Sequence, residues 1–475
     1  MTTTLTRLTL SGAAVLALNT AACTDKVFVE RELWEEPPSA AQGFLGYSDA
    51  NAGLPTCGNC HIGQNSKWQG TAHAHAWATL QESGSAQKFC EGCHTVGANG
   101  NAVTETNVGW TATDDERYLD VQCESCHGPG LLHVTNPDAT QPLASILVGV
   151  GFTNGCGECH QGAHHGFVDE WAESRHGEGA NRPQYRERAD GGCRNCHGGR
   201  GALEAWGVRA NYLERDTDEP FGIVCGVCHD PHDATYAGQL RFPVDVPDVD
   251  VNLCMKCHQR RSIPDMSSQG SGPHSPQGPL LLGENVGWIP PNFQYGDAQI
   301  RGTHGTERNQ RLCATCHVNA YEVTDAATGE FVLSVKGHSF EPIPCLDGQG
   351  VPDASAECEL TERTFSACTT SGCHGDQAAA RGAYIVATTR IVNLVEELEA
   401  LLDQVPATEF VQDDILTTAE GARFNRGLGR ITSSAIHNPF LTEALLIASI
   451  RQVRDDYGLA AVKSVSLQPL LIQPR

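Results

Sequence analysis

Cys57-Gly58-Asn59-Cys60-His61, Cys90-Glu91-Gly92-Cys93-His94, Cys123-Glu124-Ser125-Cys126-His127 and Cys156-Gly157-Glu158-Cys159-His160 are four copies of one pentapeptide, with 33 residues between successive first cysteines. In C-x-x-C-H, thiols at i and i+3 and an imidazole at i+4 share one face of a short helical turn. The thiols can form thioethers to two vinyl groups of a haem while the histidine reaches its iron, so the motif reads as c-type haem attachment. Zinc sites and redox dithiols also use C-x-x-C, but neither needs a histidine directly after every copy.

The unit continues at looser intervals of 37, 32, 29 and 59 residues, as Cys193/Cys196/His197, Cys225/Cys228/His229, Cys254/Cys257/His258 and Cys313/Cys316/His317. A further 55 residues on, Cys368-Thr-Thr-Ser-Gly-Cys373-His374 has the wider spacing C-x₄-C-H, a rarer attachment variant. Read through both cysteines it makes a ninth haem site and leaves Cys345 and Cys358 to pair as a disulfide. The alternative is attachment through Cys373 alone, with Cys368 bonded to Cys345 or Cys358. On the first reading, eighteen cysteines for haem, two for a disulfide and one for lipid account for all 21. The 33-residue period also matches some helical repeats. No leucine or alanine consensus recurs with it, so the period is one of haem spacing.

Composition agrees with a chain that folds around cofactors. Among 475 residues there are 50 Gly and 24 Pro, aromatics are only 6%, and no long apolar run occurs between the start and residue 377. Such a chain lacks the side chains for an ordinary core, and stacked porphyrins would supply the missing apolar volume. The formal net charge is −25, with 32 Lys and Arg against 57 Asp and Glu. Phosphate binding needs concentrated basic residues, so nucleic acid is excluded as an expected partner. A redox protein donor and acceptor are expected instead, and the acidity also favours solubility.

At the start, Arg7 precedes an apolar run from Leu8 to Leu18, and Thr20-Ala21-Ala22-Cys23 closes it with small residues. This resembles a bacterial lipoprotein signal, with residues 1–22 removed and lipid on Cys23. An exported protein is expected, periplasmic or at the cell surface, as an outer-membrane lipoprotein held by its N-terminal anchor. Residues 23–47 would be a lipidated tether, 48–240 a haem domain with six C-x-x-C-H sites, 241–376 a second with two such sites and the C-x₄-C-H site, and 377–475 a helical C-terminal region. In that region Tyr384, Ile391, Val395, Leu398, Leu402 and Val405 form one helical stripe, and Leu446, Ile450, Val453 and Tyr457 form another. Asn438 can cap the second helix with Pro439 in its first turn. The expected fold is therefore mainly α with extensive irregular loops, wrapped around a haem chain and closed by a C-terminal helical hairpin.

The sixth ligand of each iron separates electron transfer from chemistry. Methionine is a poor candidate, because only Met1, Met255 and Met266 exist and Met255 lies inside a motif. Of 20 histidines, nine are the motif residues His61, His94, His127, His160, His197, His229, His258, His317 and His374. The other eleven include two doublets, His73/His75 and His164/His165. One member of each doublet with His133, His176, His232, His274, His304, His338 and His437 makes nine distal candidates for nine haems. From the second doublet we take His165.

Several of these residues carry a family resemblance. Cys123-Glu-Ser-Cys126-His127-Gly-Pro-Gly-Leu-Leu-His133, Trp68-Gln-Gly-Thr-Ala-His73-Ala-His75-Ala and Trp171-Ala-Glu-Ser-Arg-His176 resemble motifs of multihaem cytochromes c related to the tetrahaem electron carrier of ammonia oxidation. Cys228-His229-Asp-Pro-His232 and His437-Asn438-Pro439 are similar to motifs of the same broad superfamily. The resemblance spans residues 55–375 and is loose between the motifs. It implies closely packed haem pairs, extra histidines that bind haems other than the one attached beside them, and His73 in preference to His75.

With two histidines on every iron, electron transfer is the leading expectation. An oxidoreductase acting on a small nitrogen or sulfur compound at one five-coordinate haem is the alternative, as is a protomer of a cytochrome wire. No C-x-x-C-K motif of the kind that related nitrite reductases often carry is present.

Overall fold

The computed structural model describes residues 43–148, 155–177, 191–208, 215, 221–265, 271–291, 293, 302–306, 308–354, 356–370, 372–411, 413–431 and 433–471. The signal segment, Cys23, most of the tether and Met266 lie outside these residues. From Ser39 onward the chain clusters as one unit.

Among the described residues as far as 376 the chain is a succession of helices of at most seven residues, 3₁₀ turns and irregular loops. The haem motifs supply several of these turns. Cys123–His127, Arg194–His197, Cys225–Cys228 and Cys313–His317 are helical, and Thr56–Asn59, Lys88–Cys93 and Gly155–Glu158 are 3₁₀. In several motifs the histidine N–H donates to the carbonyl of the first cysteine, as for His61 to Cys57, His160 to Cys156 and His229 to Cys225, each at 2.9 Å. That bond closes the turn and gathers two thiols and a ring on one side.

Strands are few. Among the described residues β1 (Tyr47–Asp49) pairs with β2 (Leu54–Pro55), β3 (Tyr321–Thr324) with β4 (Phe331–Val335), and β5 (Cys345–Leu346) with β6 (Pro352–Asp353), all antiparallel. Cys345 and Cys358 are joined in a disulfide. Cys368 is a free thiol, so it takes no part in that bond. Buried apolar side chains in this part form small separate groups, such as Phe44, Val96, Val108, Trp110 and Tyr118 in one and Val168, Trp171, Val224 and Val227 in another.

The C-terminal region differs from the expected hairpin, because three helices pack together and not two. They are α1 (Gln377–Leu402), α2 (Thr418–Arg430) and, after the single turn α3 (Ser434–His437), α4 (Pro439–Tyr457). Asp376 caps α1 by accepting from Ala379 N–H, and Asn438 caps α4 by accepting from Leu441 N–H with Pro439 in the first turn. Leu394, Leu398, Leu401, Leu446, Ile450 and Val453 are wholly buried between the helices.

Helix α2 escapes a sequence reading because Gly421, Gly427 and Gly429 lower its helix propensity. Their absent side chains are what the packing uses. A Cβ on Gly421 would lie 2.3 Å from the Trp288 ring, and one on Gly429 would lie 2.6 Å from Val395 Cγ2. Its start is nevertheless marked by a reciprocal capping box between Thr417 and Glu420.

Buried charges fasten the last segment to the bundle. Arg390 Nε donates to Glu443 Oε1 at 2.6 Å, and Arg390 also reaches the carbonyls of Ser466 and Gln468. Glu443 accepts from Leu470 and Leu471 N–H, and Glu397 accepts from Val462 and Lys463 N–H. Each charge therefore has partners, as burial requires. Among the described residues no helix is long and apolar enough to cross a membrane.

Candidate functional site

The folded chain brings every motif histidine opposite one non-motif histidine. Ring centroids are 6.1 Å apart for His61 and His133, 6.3 Å for His94 and His165, 6.1 Å for His127 and His232, and 6.0 Å for His160 and His73. The separations are 6.1 Å for His197 and His274, 6.2 Å for His229 and His338, and 6.3 Å for His258 and His176. They are 6.2 Å for His317 and His437 and 6.4 Å for His374 and His304. Two imidazoles bound to one metal through bonds of about 2 Å would have centroids about 6 Å apart, once the half-width of each ring is added. The nine pairs fit a metal between the rings, and the two cysteines of each motif are in no disulfide.

Which nitrogen faces inward follows from the other nitrogen. Nδ1 bonds a backbone carbonyl in His94 (Ala76), His127 (Pro142), His133 (Thr140), His229 (Gly238), His304 (Ile436), His317 (Phe340) and His338 (Lys336), at 2.6–3.2 Å. A ring held in this way keeps its orientation, and its Nε2 is left for a metal. Burial pushes His160, His176 and His338 down to about 4 and His437 to about 3. These rings are neutral at pH 7, the form that can donate a lone pair to iron.

The doublets separate by geometry. His75 is exposed, with Nε2 bonded to the Gln69 carbonyl at 3.2 Å, while its neighbour His73 faces His160. His164 stacks on Phe331 with centroids 4.7 Å apart and planes 4° from parallel, while His165 faces His94. The ninth motif closes over its two extra residues by a bond from His374 N–H to Cys368 carbonyl, at 3.3 Å. Gly372 allows this turn with φ 73°.

Thiols of different motifs also meet. Cys57 lies near Cys123, Cys93 near Cys159, Cys156 near Cys225, Cys196 near Cys257, and Cys254 near Cys313. Neighbours in space are thus often second neighbours in sequence. Facing histidines repeat the pattern: His133, just after the third motif, serves the first, and His165, just after the fourth, serves the second.

Two carboxylates that fasten backbone around the site have no counterpart among the residues the sequence singled out. Glu124, inside the third motif, accepts N–H groups of Leu45, Gly46 and Gly130 at 2.7–3.0 Å, with burial pushing its carboxyl up to about 7. Glu170 accepts N–H groups of Lys336 and His338, each at 2.6 Å. A glutamate on a short helix carries no local signal of either role.

Comparison with known proteins agrees with the motifs. Residues 56–128 match the family described as cytochrome c554 and c-prime, and residues 219–262 match the doubled CXXCH motif. Cytochrome c-554 of Nitrosomonas europaea is 32% identical over 95 residues, covering 16% of this chain and 38% of that protein. The chain thus spans less than half the length of that curated relative. Among solved structures, the undecahaem cytochrome from the S-layer of Carboxydothermus ferrireducens is similar at TM-score 0.50 and 20% identity, over 90% of this chain and 70% of that one. The outer cell wall cytochrome OcwA is similar at TM-score 0.47 and 17% identity, over 77% and 75%. With C-x-x-C-H motifs along its length and family matches at two of its segments, the chain resembles multihaem cytochromes c related to the tetrahaem cytochrome c554.

Proposed function

We propose that the chain carries nine c-type haems, each with two histidines on its iron, and transfers electrons along them. The observation that carries this reading is the set of nine facing histidine pairs, each made of one motif and one non-motif residue. Cys57 to Cys316 in eight pairs, and Cys368 with Cys373, would hold the porphyrins covalently. When bound, each haem supplies one reversible iron oxidation, at a potential below that of Met/His sites. The protein groups would do the rest: the facing imidazoles would hold each iron from both sides and keep substrates off it, and the carbonyl bonds at Nδ1 of seven of the rings fix their orientation.

The same reading places the protein outside the cytoplasm, periplasmic or at the cell surface, with Cys23 as a lipid anchor in the outer membrane and a role in anaerobic or extracellular respiration. The signal-like start and the S-layer origin of one structural relative support export. Donor and acceptor would be redox proteins, the charge of −25 favouring partners with basic docking faces. Mass spectrometry of the mature protein should give nine haems. Low-temperature electron paramagnetic resonance should show low-spin iron only, with no carbon monoxide binding after reduction. A high-spin haem in the native protein would instead support catalysis at one open iron.

A further inference from the structure

We propose that Phe340 is a positioning residue shared by three haem sites, with its ring set against His338 and His176 and its carbonyl holding His317. This rests on the reading of facing histidines as iron ligands. The Phe340 ring lies 5.7 Å from His338 and 4.8 Å from His176. Those two imidazoles face His229 and His258, in the sixth and seventh motifs. Its carbonyl accepts from His317 Nδ1, in the eighth motif, at 2.8 Å. One residue thus touches a ligand at each of three consecutive motifs.

The backbone at Phe340 is unusual for so large a side chain, with φ 56° in the left-handed region. Bulky residues occupy that region only where their surroundings hold them there. The surroundings here are specific. Glu170 receives the N–H groups of Lys336 and His338, each at 2.6 Å, so that one carboxylate pins the loop at two alternate amides. On the other side Gly337, at φ 75°, packs so closely on Val318 that a Cβ would lie 2.6 Å from its carbonyl carbon. The loop 336–340 is thereby fixed both to the helix that carries Glu170 and to the residue following His317.

A second phenylalanine extends the arrangement. Phe167 lies 5.5 Å from His160 and 4.9 Å from His338, both nearly edge-on. His160, Phe167, His338, Phe340 and His176 make a continuous series of rings through the fourth, sixth and seventh sites. If Phe340 only filled space, its carbonyl would not need to meet a third ligand, and a conformation open to any residue would serve.

The test uses full-length, haem-loaded protein. Mass spectrometry first counts haems in F340L, F340G and F340Y, and electron paramagnetic resonance then records the oxidised proteins. F340L and F340G should keep nine haems and displace the low-spin g-values of the two haems whose imidazoles touch the ring, because those values follow the orientation of axial ligand planes. F340Y retains the ring and should match the wild type. F424L, at a phenylalanine buried in the tail bundle, should change stability without moving any g-value. Spectra of F340L and F340G that superimpose on the wild type would overturn the proposal, as would an equal displacement in F424L or F340Y. Failure of the underlying ligand reading is separate, since it would show in the wild type as fewer than nine low-spin haems.

Discussion

Residues 43–376 and residues 377–471 bury themselves by opposite means. The tail has a continuous apolar core, with Leu394, Leu398, Leu401, Leu446, Ile450 and Val453 wholly covered by other side chains. Among the described residues the haem-motif part has small clusters of a few residues each, one of them shared with the tail through Leu280, Val286, Leu428, Leu441 and Leu445, and turns whose histidines face one another in pairs. In the tail, transfer of apolar side chains from water stabilises the fold directly. In the motif part, the same term has to come from porphyrin. A polypeptide can thus delegate its core to a covalent cofactor, at the cost of depending on it.

The sharpest way to break this comparison is to produce the chain without haem attachment. Hydrogen exchange read by mass spectrometry should show residues 43–376 exchanging as unfolded chain while α1, α2 and α4 stay protected. Protection across the motif part in haem-free protein would show that the polypeptide folds it unaided. A narrower change is H437A, at the tail residue that faces His317. One haem of nine should become high-spin and bind carbon monoxide, and added imidazole should restore the low-spin signal; an unchanged spectrum would mean that His437 is no ligand.

Smaller effects test the tail alone. L398A empties a site with no exposed surface and should lower its stability by about 2–5 kcal/mol, read as a lower denaturant midpoint for loss of helix. Haem content and the low-spin spectrum should hold, and loss of haem would mean that the two parts share one core. T417A removes the hydroxyl that accepts from Glu420 N–H and should cost about 1 kcal/mol. A cost near zero would show that packing of Gly421 and Gly429 specifies α2 without its cap.

The tail also shows where reading a sequence stops. Helices α1 and α4 were legible because their apolar residues recur at helical period and Asn438-Pro439 marks a start. Helix α2 was not, because three glycines count against it locally while residues remote in the chain require them, Trp288 at Gly421, Pro273 at Gly427 and Val395 at Gly429. The doublets repeat the lesson at the site. Nothing beside His164 and His165 says that one stacks on Phe331 while the other faces His94. Likewise the left-handed backbone of Phe340 and the bonds of the Glu170 carboxylate to the loop 336–340 have no local signature.

By itself the sequence determined the cofactor class, the motif cysteines and histidines, and a supply of further histidines large enough to match them. These are local properties, since attachment chemistry needs only a few neighbouring residues on one turn. Tertiary structure decided which histidine faces which, because His317 and His437 or His229 and His338 meet only after long segments have folded between them. It also decided which carbonyl orients each ring, and that a third helix completes the tail. Both depend on distances between segments remote in sequence, which no local pattern encodes.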